Sequence, residues 1–438
     1  METLTMNIDQ WVSGAEPFLA ERSAETWRQD FVNSALDAGL PSRKSEHWKY
    51  TRIKPLFDKG LELVVDHPAP LGHPSLPGGE SSAVETPPLE RGGGRRPEGL
   101  IKLEGYQIIT QNGHFISSYD LPTGVTVLNI SEADKPASEF KSDAITALAA
   151  ATYSSGIFIQ IEANTSLDKP IILVEKSNLE AGQTCSIRHR FEIGSGAKGQ
   201  VIEHHSATAD SAGLINRITE MEVAENANFN HHQIQDLGQL NVVHSIEAHQ
   251  AKTSVFSTSV YTFSGSLVRN NLVISVDGEH AETNLNGLHI TQGSEHVDNH
   301  TRVDHRVPNC NSNEVYRGVL GGKSTGVFNG KVFVHQDAQI TNAYQSNRNI
   351  LVSDSAVMNS KPELEIYADD VKCSHGCTIG QMDKEALFYL RSRGLSTEAS
   401  INLLLHAFAG EVLEAISNVQ LRTWIEERIA EKMTTIND

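Results

Sequence analysis

The chain has 438 residues, of which 39% are hydrophobic and 21% charged, and acidic residues exceed basic residues by 19. This length can bury a sizeable core and predicts two or three structural regions. The acidic balance argues against a surface for nucleic acid or anionic membranes. Four cysteines do not suggest a secreted disulfide framework, and no stretch resembles a signal peptide or a membrane span. We therefore expect a cytoplasmic protein.

Residues 1–60 predict an N-terminal helical region. Residues 7–40 look helical, because Trp27 and Phe31 lie at helical spacing and Gly39 is a stop signal. Residues 61–100 differ sharply, since Pro and Gly dominate from position 66 to position 99. Such a composition cannot bury enough apolar surface to order itself, so we predict a flexible insertion or linker.

Residues 101–382 predict a mainly β core. Short β-rich runs alternate with turns of Gly, Asn, Asp and Ser, and no long helical stripe is present. Several runs begin with a similar corner that contains an alanine, at residues 196–201, 225–229, 249–255, 278–284 and 336–340. Recurring corners favour a coiled sheet, so a parallel β-helix is the first choice and a stacked β-sandwich the second.

Residues 383–438 predict a C-terminal helical region. Asp383 can cap a helix that ends near Gly394, and Ser396 can start a second helix. A third, short helix contains Leu421, Trp424 and Ile425. The second helix has one apolar stripe, made of Ile401, Leu404, Leu405, Phe408, Val412 and Ile416.

Two glycine-rich patterns resemble nucleotide-binding motifs. Residues 194–199 match the dinucleotide fingerprint, and residues 321–325 resemble the end of a phosphate-binding loop. A strand, not the required helix, is expected to follow each pattern. We interpret both as tight turns and expect no nucleotide site in this chain.

Histidines crowd the predicted β core. A lone histidine carries no ligand geometry, so we expect solvent-facing ladders of imidazoles on stacked strands. As a group, the histidines could alternatively offer transient metal sites. The densest cluster of ligand-type residues, residues 295–300, has a spacing that fits no closed metal site. The histidines are His204, His205, His231, His232, His244, His249, His280, His289, His296, His300 and His305.

The most informative run is residues 364–379, which reads as a strand that ends by presenting Cys373 and His375. If the strand persists, Cys373, His375 and Cys377 share one face, because side chains alternate. A thiolate beside an imidazole suits iron, iron–sulfur fragments, zinc or copper, and is also the basis of a reactive thiol. An inert strand-end cysteine is the alternative. Cys185 and Cys310 fit buried structural thiols.

The same run offers at most three ligands, so it cannot form a complete tetrahedral zinc site alone. An incomplete ligand set suits a site that is shared with a second chain, or one from which the metal must later leave.

Seven segments resemble the SufB/SufD scaffold family of the SUF iron–sulfur assembly system, and the resemblance is close over about residues 200–420. Within that family, the Cys-Ser-His-Gly form and the absence of an N-terminal multi-cysteine cluster are similar to the SufD-type branch. The resembling segments are residues 45–51, 313–320, 326–334, 338–345, 347–351, 361–376 and 387–394.

The resemblance implies a right-handed parallel β-helix flanked by helical ends, in a complex with a SufB-like scaffold and a SufC-like ABC ATPase. It implies that Cys373 and His375 lie at the interface with the SufB-like chain, where they hold iron or a nascent iron–sulfur cluster transiently. No permanently bound cofactor and no enzymatic activity are expected. Cys377 departs from the family, which usually has a small residue there. The ATPase would dock on the C-terminal helices, here Leu387, Phe388, Tyr389, Arg393, Leu404 and Phe408.

Two other functions stay open from the residues. The chain could be a purely structural partner of the SufB-like scaffold, or a β-helix enzyme that acts on polysaccharide with acidic residues on a concave face. Exposed solenoid edges also make a homodimer possible when the partner is absent.

Overall fold

The computed structural model describes residues 8–58, 60–64, 103–119, 121–133, 140 and 143–436. The predicted Pro/Gly-rich segment, residues 66–99, lies outside the described residues. The α-helices are α1 (Ile8–Glu21), α2 (Trp27–Ala38), α3 (Lys54–Phe57), α4 (Ala144–Thr152), α5 (Lys384–Ser392), α6 (Thr397–Gly410) and α7 (Val419–Thr435). Short 3-10 helices span Glu46–Trp48, Ile130–Glu132 and Glu411–Ala415.

The strands are β1 (Glu62–Leu63), β2 (Tyr106–Gln111), β3 (His114–Tyr119), β4 (Val125–Asn129), β5 (Ile157–Ile161), β6 (Ile171–Ser177), β7 (Gln183–Ile193), β8 (Lys198–Ala207), β9 (Leu214–Val223) and β10 (Asn228–Asp236). They continue with β11 (Asn241–Gln250), β12 (Val255–Ser264), β13 (Leu267–Val276), β14 (Glu282–Thr291), β15 (His296–His305), β16 (Asn311–Leu320), β17 (Thr325–Val334), β18 (Thr341–Leu351), β19 (Val357–Ile366) and β20 (Val371–Gln381).

Successive strands from β5 onward alternate between two sheets, and every neighbouring pair among them within a sheet is parallel. From β5 onward the odd-numbered strands belong to one sheet, called here the odd sheet, which also contains β1 and β4. The even-numbered strands from β6 onward belong to the even sheet, which also contains β2 and β3. This strand-by-strand alternation confirms the predicted parallel β-helix. The solenoid ends at β19 and β20, which are the last strands of the two sheets.

A repeated corner explains why the chain can coil. A residue with positive φ, such as Gly196, Asn226 or His280, stands immediately before a small buried residue. The left-handed backbone turns the chain, and the small side chain fits inside the bend before the next strand begins. Four of the five predicted corner alanines are core residues, since Ala197, Ala227, Ala281 and Ala338 are buried, whereas Ala251 is only half-buried.

Three hydrophobic layers hold the coil together. Residues from both sheets, including Phe191, Phe229 and Phe256, form a core between the sheets. Helices α1, α2 and α4 pack on the outer face of the odd sheet, while α6 and α7 pack on the outer face of the even sheet. Both faces of each sheet are thus covered over much of their length, as is usual for parallel sheets.

The helical regions agree with the predictions in part. Asp383 accepts hydrogen bonds from the amides of Glu385 and Ala386, and Ser396 caps α6 as expected. The segment predicted as helical, residues 7–40, contains two helices with a turn between them. Helix α7 is longer than the predicted short helix. The predicted stripe of α6 overruns the α-helix, since Glu411–Ala415 is a 3-10 helix.

Helix α4 was not predicted, because the region was read as uniformly β. Asp143 caps this helix through the amides of Ile145 and Thr146, and all nine of its residues are buried. Its sequence is apolar all round, so it lacks the one-sided stripe that identifies an amphipathic helix. Among the described residues, no helix combines the length and the apolar character needed to span a bilayer.

The prediction of solvent-facing histidine ladders was wrong for most of the cluster. Because both faces of the sheets are covered, strand histidines become buried whichever way they point. Desolvation lowers the pKa of six of them, so these six are neutral in the folded chain at pH 7: His204, His205, His232, His244, His289 and His305. The buried ones are His204, His205, His231, His232, His244, His289 and His305, whereas His280 is exposed.

Candidate functional site

The Cys-His motif lies within β20 and not at the end of a preceding strand. The run that we predicted as one strand is divided: β19 ends at Ile366, a corner follows at residues 367–370, and β20 begins at Val371 in the opposite sheet. The predicted motif therefore includes the turn between the last two strands of the solenoid. The change of sheet leaves the alternation within β20 intact.

Cys373, His375 and Cys377 do share one face, as predicted. Their partners in β18 are Ala343, Gln345 and Asn347, and all three partners are buried. The three motif residues therefore point to the same side, above the buried row of β18. No described strand continues the even sheet beyond β20, so His375 and Cys377 are exposed and Cys373 is half-buried. They form the open end of the space between the sheets.

Cys373 is the most shielded of the three. It packs against a small cluster that contains Val332, Val334, Ala338 and Ala343. Burial raises the pKa of its thiol above the ordinary value, although the backbone of Ala343 opposes this effect. The thiol is therefore mostly protonated at neutral pH.

Cys377 reaches across the open end to the odd sheet. Its thiol donates a hydrogen bond to the hydroxyl of Ser360 on β19, with a sulfur–oxygen distance of 2.9 Å. Ser360 in turn donates to Oδ1 of Asn347 at 2.8 Å. Sequence reasoning missed Ser360 and Asn347. Asn347 could have been found from its spacing, because it lies thirty residues, or one coil, before its register partner Cys377.

The geometry limits what the two cysteines can do together. Neighbouring same-face residues in a strand are about 6.6 Å apart, so Cys373 and Cys377 are separated by roughly 13 Å along β20. This distance excludes a disulfide between them without backbone rearrangement. No disulfide joins any two of the four cysteines. Cys373 and His375 are adjacent on their face and can approach one metal ion together.

Within the described residues, no group of three or more His, Cys, Asp or Glu side chains is placed to hold a metal ion. The side chains of the second cluster singled out in the sequence, residues 295–300, make structural contacts. Asp298 accepts hydrogen bonds from Thr51 and pairs with Arg269, and His300 lies 2.9 Å from its carboxylate. These contacts anchor the N-terminal segment to β15.

The two glycine-rich patterns are turns, as predicted. Gly196 has a positive φ and precedes β8, and Gly322 has a positive φ and precedes β17. A strand follows each pattern, where a nucleotide-binding loop would place the N-terminus of a helix.

The residues predicted to contact an ATPase lie on α5, at its C-cap and on α6, and three of the six are exposed. Phe388 is 74% exposed and Tyr389 is 56% exposed, while the guanidinium of Arg393 lies 5.1 Å from the ring centroid of Tyr389. Leu387, Leu404 and Phe408 are half-buried. The prediction missed Leu403, which is 49% exposed and lies outside the predicted stripe.

Comparison with known proteins identifies the family. Residues 175–408 match the model described as SUF system FeS cluster assembly, SufBD core domain. The chain is 27% identical to the iron–sulfur cluster assembly protein SufD of Escherichia coli over 97% of this chain and 96% of that protein. It is 30% identical to an iron–sulfur cluster assembly SufBD family protein of Synechocystis, over 87% and 85% of the two chains. The chloroplastic protein ABCI7 of Arabidopsis thaliana is 31% identical over 47% and 44%. These matches confirm the resemblance drawn from the motifs, and the chain belongs to the SufBD core family of the SUF iron–sulfur cluster assembly system.

Proposed function

We propose that the chain is a cytoplasmic, non-enzymatic scaffold subunit on which an iron–sulfur cluster is assembled together with a SufB-like scaffold. Iron and sulfide are cargo in this proposal, held transiently and then passed on. The observation that carries it is the placement of Cys373 and His375 on the last strand of the even sheet, at the open end of the solenoid. Two adjacent soft ligands form only part of a coordination shell, and a partner docked there would complete it.

The open end is also a suitable docking surface. Strands β19 and β20 each have one edge with no strand neighbour among the described strands. Such edges pair readily with another chain. Terminal coils of a solenoid need a cover, which a SufB-like chain would supply. A second copy of this chain could take the same place when that partner is absent.

A SufC-like ABC ATPase is proposed to dock on the exposed surface of α5 and α6. Helix α5 has no buried residue, and Phe388 is the most exposed large hydrophobic residue among the described ones. Because α6 packs on the even sheet, a movement of the ATPase could reach the strands that end in β20. In this hypothesis ATP hydrolysis by the partner rearranges the interface and exposes Cys373 and His375.

The test uses the complex of the full chain with its two partners. We expect Cys373→Ala and His375→Ala each to lower the iron and acid-labile sulfide content of the complex severalfold. Cys185→Ala is the matched control, because Cys185 is a buried thiol on β7, six strands away from β19 in the odd sheet. Unchanged iron and sulfide in both variants would refute the ligand assignment and favour a purely structural partner.

A further inference from the structure

Buried polar side chains lie directly beneath His375 at the open end. Gln345 on β18 is the register partner of His375, and Glu314 on β16 is the register partner of Gln345. Adjacent parallel strands lie about 4.8 Å apart, and residues in register point to the same side. His375, Gln345 and Glu314 thus form a column that runs from the exposed rung into the interior. Gln345 is 4% exposed and Glu314 is 2% exposed.

Glu314 determines which way the amide of Gln345 faces. Nε2 of Gln345 donates to Oε2 of Glu314 at 2.7 Å, and Thr301 donates to the other carboxylate oxygen at 2.5 Å. Burial raises the pKa of Glu314 to about 7, so at pH 8 the group is an ionised carboxylate that only accepts hydrogen bonds. It must therefore face the amide nitrogen and not the amide oxygen. Gly330 leaves room for this arrangement, because a Cβ there would collide with Nε2 of Gln345.

The other end of the amide is unsatisfied. Oε1 of Gln345 is buried and has no hydrogen-bond partner among the described residues. A buried acceptor without a donor destabilises the fold, so such a group usually has a use. The register partner on the exposed side is His375, whose imidazole can supply an N–H.

We propose that Gln345 is a positioning residue for His375: its Oε1 accepts the N–H of one ring nitrogen and leaves the other nitrogen free to face the cargo metal. The proposal rests on the ligand role given to His375 under the proposed function. Metal-binding histidines generally donate their second nitrogen to a fixed acceptor, which sets the tautomer and the ring orientation. Glu314 acts one step further away, by holding the amide in the orientation that presents oxygen to His375.

The first experiment measures the tautomer of His375 without metal or partner. Long-range proton–nitrogen correlation spectra of the full chain labelled with ¹⁵N-histidine at pH 8 identify which ring nitrogen is protonated, and His375→Ala assigns the signal. We expect one tautomer to dominate in the unmodified chain. Gln345→Met, which keeps the shape and removes the acceptor, should change the tautomer ratio by about fivefold or more, as expected for one hydrogen bond.

Two further variants separate positioning from folding. Glu314→Gln keeps Gln345 but removes the carboxylate that orients it, so the ratio should move in the same direction. Gln235→Met is the matched control, because Gln235 is a buried glutamine four coils away. It should leave the ratio unchanged. An unchanged ratio in both Gln345→Met and Glu314→Gln, with normal circular dichroism, would overturn the proposal.

The second experiment links the contact to cluster assembly. In the complex, Gln345→Met should lower iron content, and the double variant with His375→Ala should hold no less iron than His375→Ala alone. A further drop in the double variant would show that Gln345 acts independently of His375, and the proposal would fail. Normal iron in the His375→Ala complex would instead refute the proposed function, while the tautomer ratio would still decide whether Gln345 binds His375.

Discussion

Cys373 and Cys377 occupy the same face of β20 but have different surroundings. The thiol of Cys377 is exposed and hydrogen-bonded to Ser360, whereas Cys373 is half-buried against apolar side chains that raise its pKa. Cys185 and Cys310 are buried, as predicted. Thiol reactivity depends on exposure and on the fraction of thiolate, so the four cysteines should be distinguishable by their reaction rates.

We predict that Cys377 reacts first with a thiol reagent such as Ellman's reagent at pH 8. Cys373 should follow at least about tenfold more slowly, because its thiol is shielded and harder to ionise. Cys377→Ser should remove only the fast phase, and Cys373→Ser only the second phase. The four cysteines should react alike in 6 M guanidinium chloride. A fast phase that survives in Cys377→Ser would contradict the placement of this residue on the exposed rung.

At the scale of elements, α5 carries exposed residues suited to binding a partner, whereas α6 carries a buried residue that stabilises the fold. Phe388 and Tyr389 on α5 are largely exposed, while Leu405 on α6 is fully buried against the even sheet. Exposed aromatic residues contribute little to folding but are common anchors at protein interfaces. A buried leucine stabilises the fold through its contacts and leaves a cavity when truncated.

We therefore predict opposite effects for two changes in neighbouring helices. Phe388→Ser combined with Tyr389→Ser should weaken binding of the purified SufC-like ATPase by about tenfold or more, with little effect on stability. Leu405→Ala should lower the free energy of unfolding by about 2–5 kcal/mol. Calorimetric titration and urea unfolding measure the two quantities. Full ATPase affinity in the aromatic double variant would place the docking surface elsewhere.

The elements that the sequence reveals are those with a local signal. The coil could be predicted because several corners repeat a turn residue and a small residue, as at Asn226 and Ala227. Cys373 and His375 could be singled out because they stand two residues apart. The residues beneath them could not be, since register partners are separated by coils of 27 to 31 residues. Gln345, Ser360 and Glu314 gain meaning only when the strands are stacked.

At the scale of the whole molecule, the solenoid buries an unusual number of imidazoles. Its parallel sheets are covered on both faces, so strand histidines lose contact with water whichever face they occupy. Desolvation, with contributions from nearby charges in several cases, lowers their pKa far below the ordinary 6.5. The pKa falls to about 3 for His189 and His232, and to about 4 for His204, His205, His289 and His305.

The direction of the resulting pH effect follows from proton uptake. In the unfolded chain these histidines bind protons near pH 6.5, whereas in the folded chain they do so only near pH 3 to 4. Acidification below 6.5 therefore favours the unfolded chain. Glu314 acts in the opposite direction, because its pKa is raised to about 7 and the folded chain holds that proton longer. The pKa of Glu175, Glu222 and Glu295 is also raised by burial, but the histidines with a lowered pKa outnumber these carboxyls.

We predict that the free energy of unfolding decreases as pH falls from 7.5 to 5.0. A fully buried histidine contributes up to about 1.4 kcal/mol per pH unit in this range, so a loss of at least about 3 kcal/mol is expected from the group. Urea unfolding followed by tryptophan fluorescence at pH 7.5, 6.0 and 5.0 measures this loss.

His232→Phe should flatten the pH dependence of the free energy of unfolding, because it removes one buried imidazole from the stack with Tyr261. His280→Gln should not, because His280 is exposed. A free energy of unfolding that is constant or rises towards pH 5 would mean that the imidazoles remain solvated. The conclusion that both faces of the sheets are covered would then be wrong.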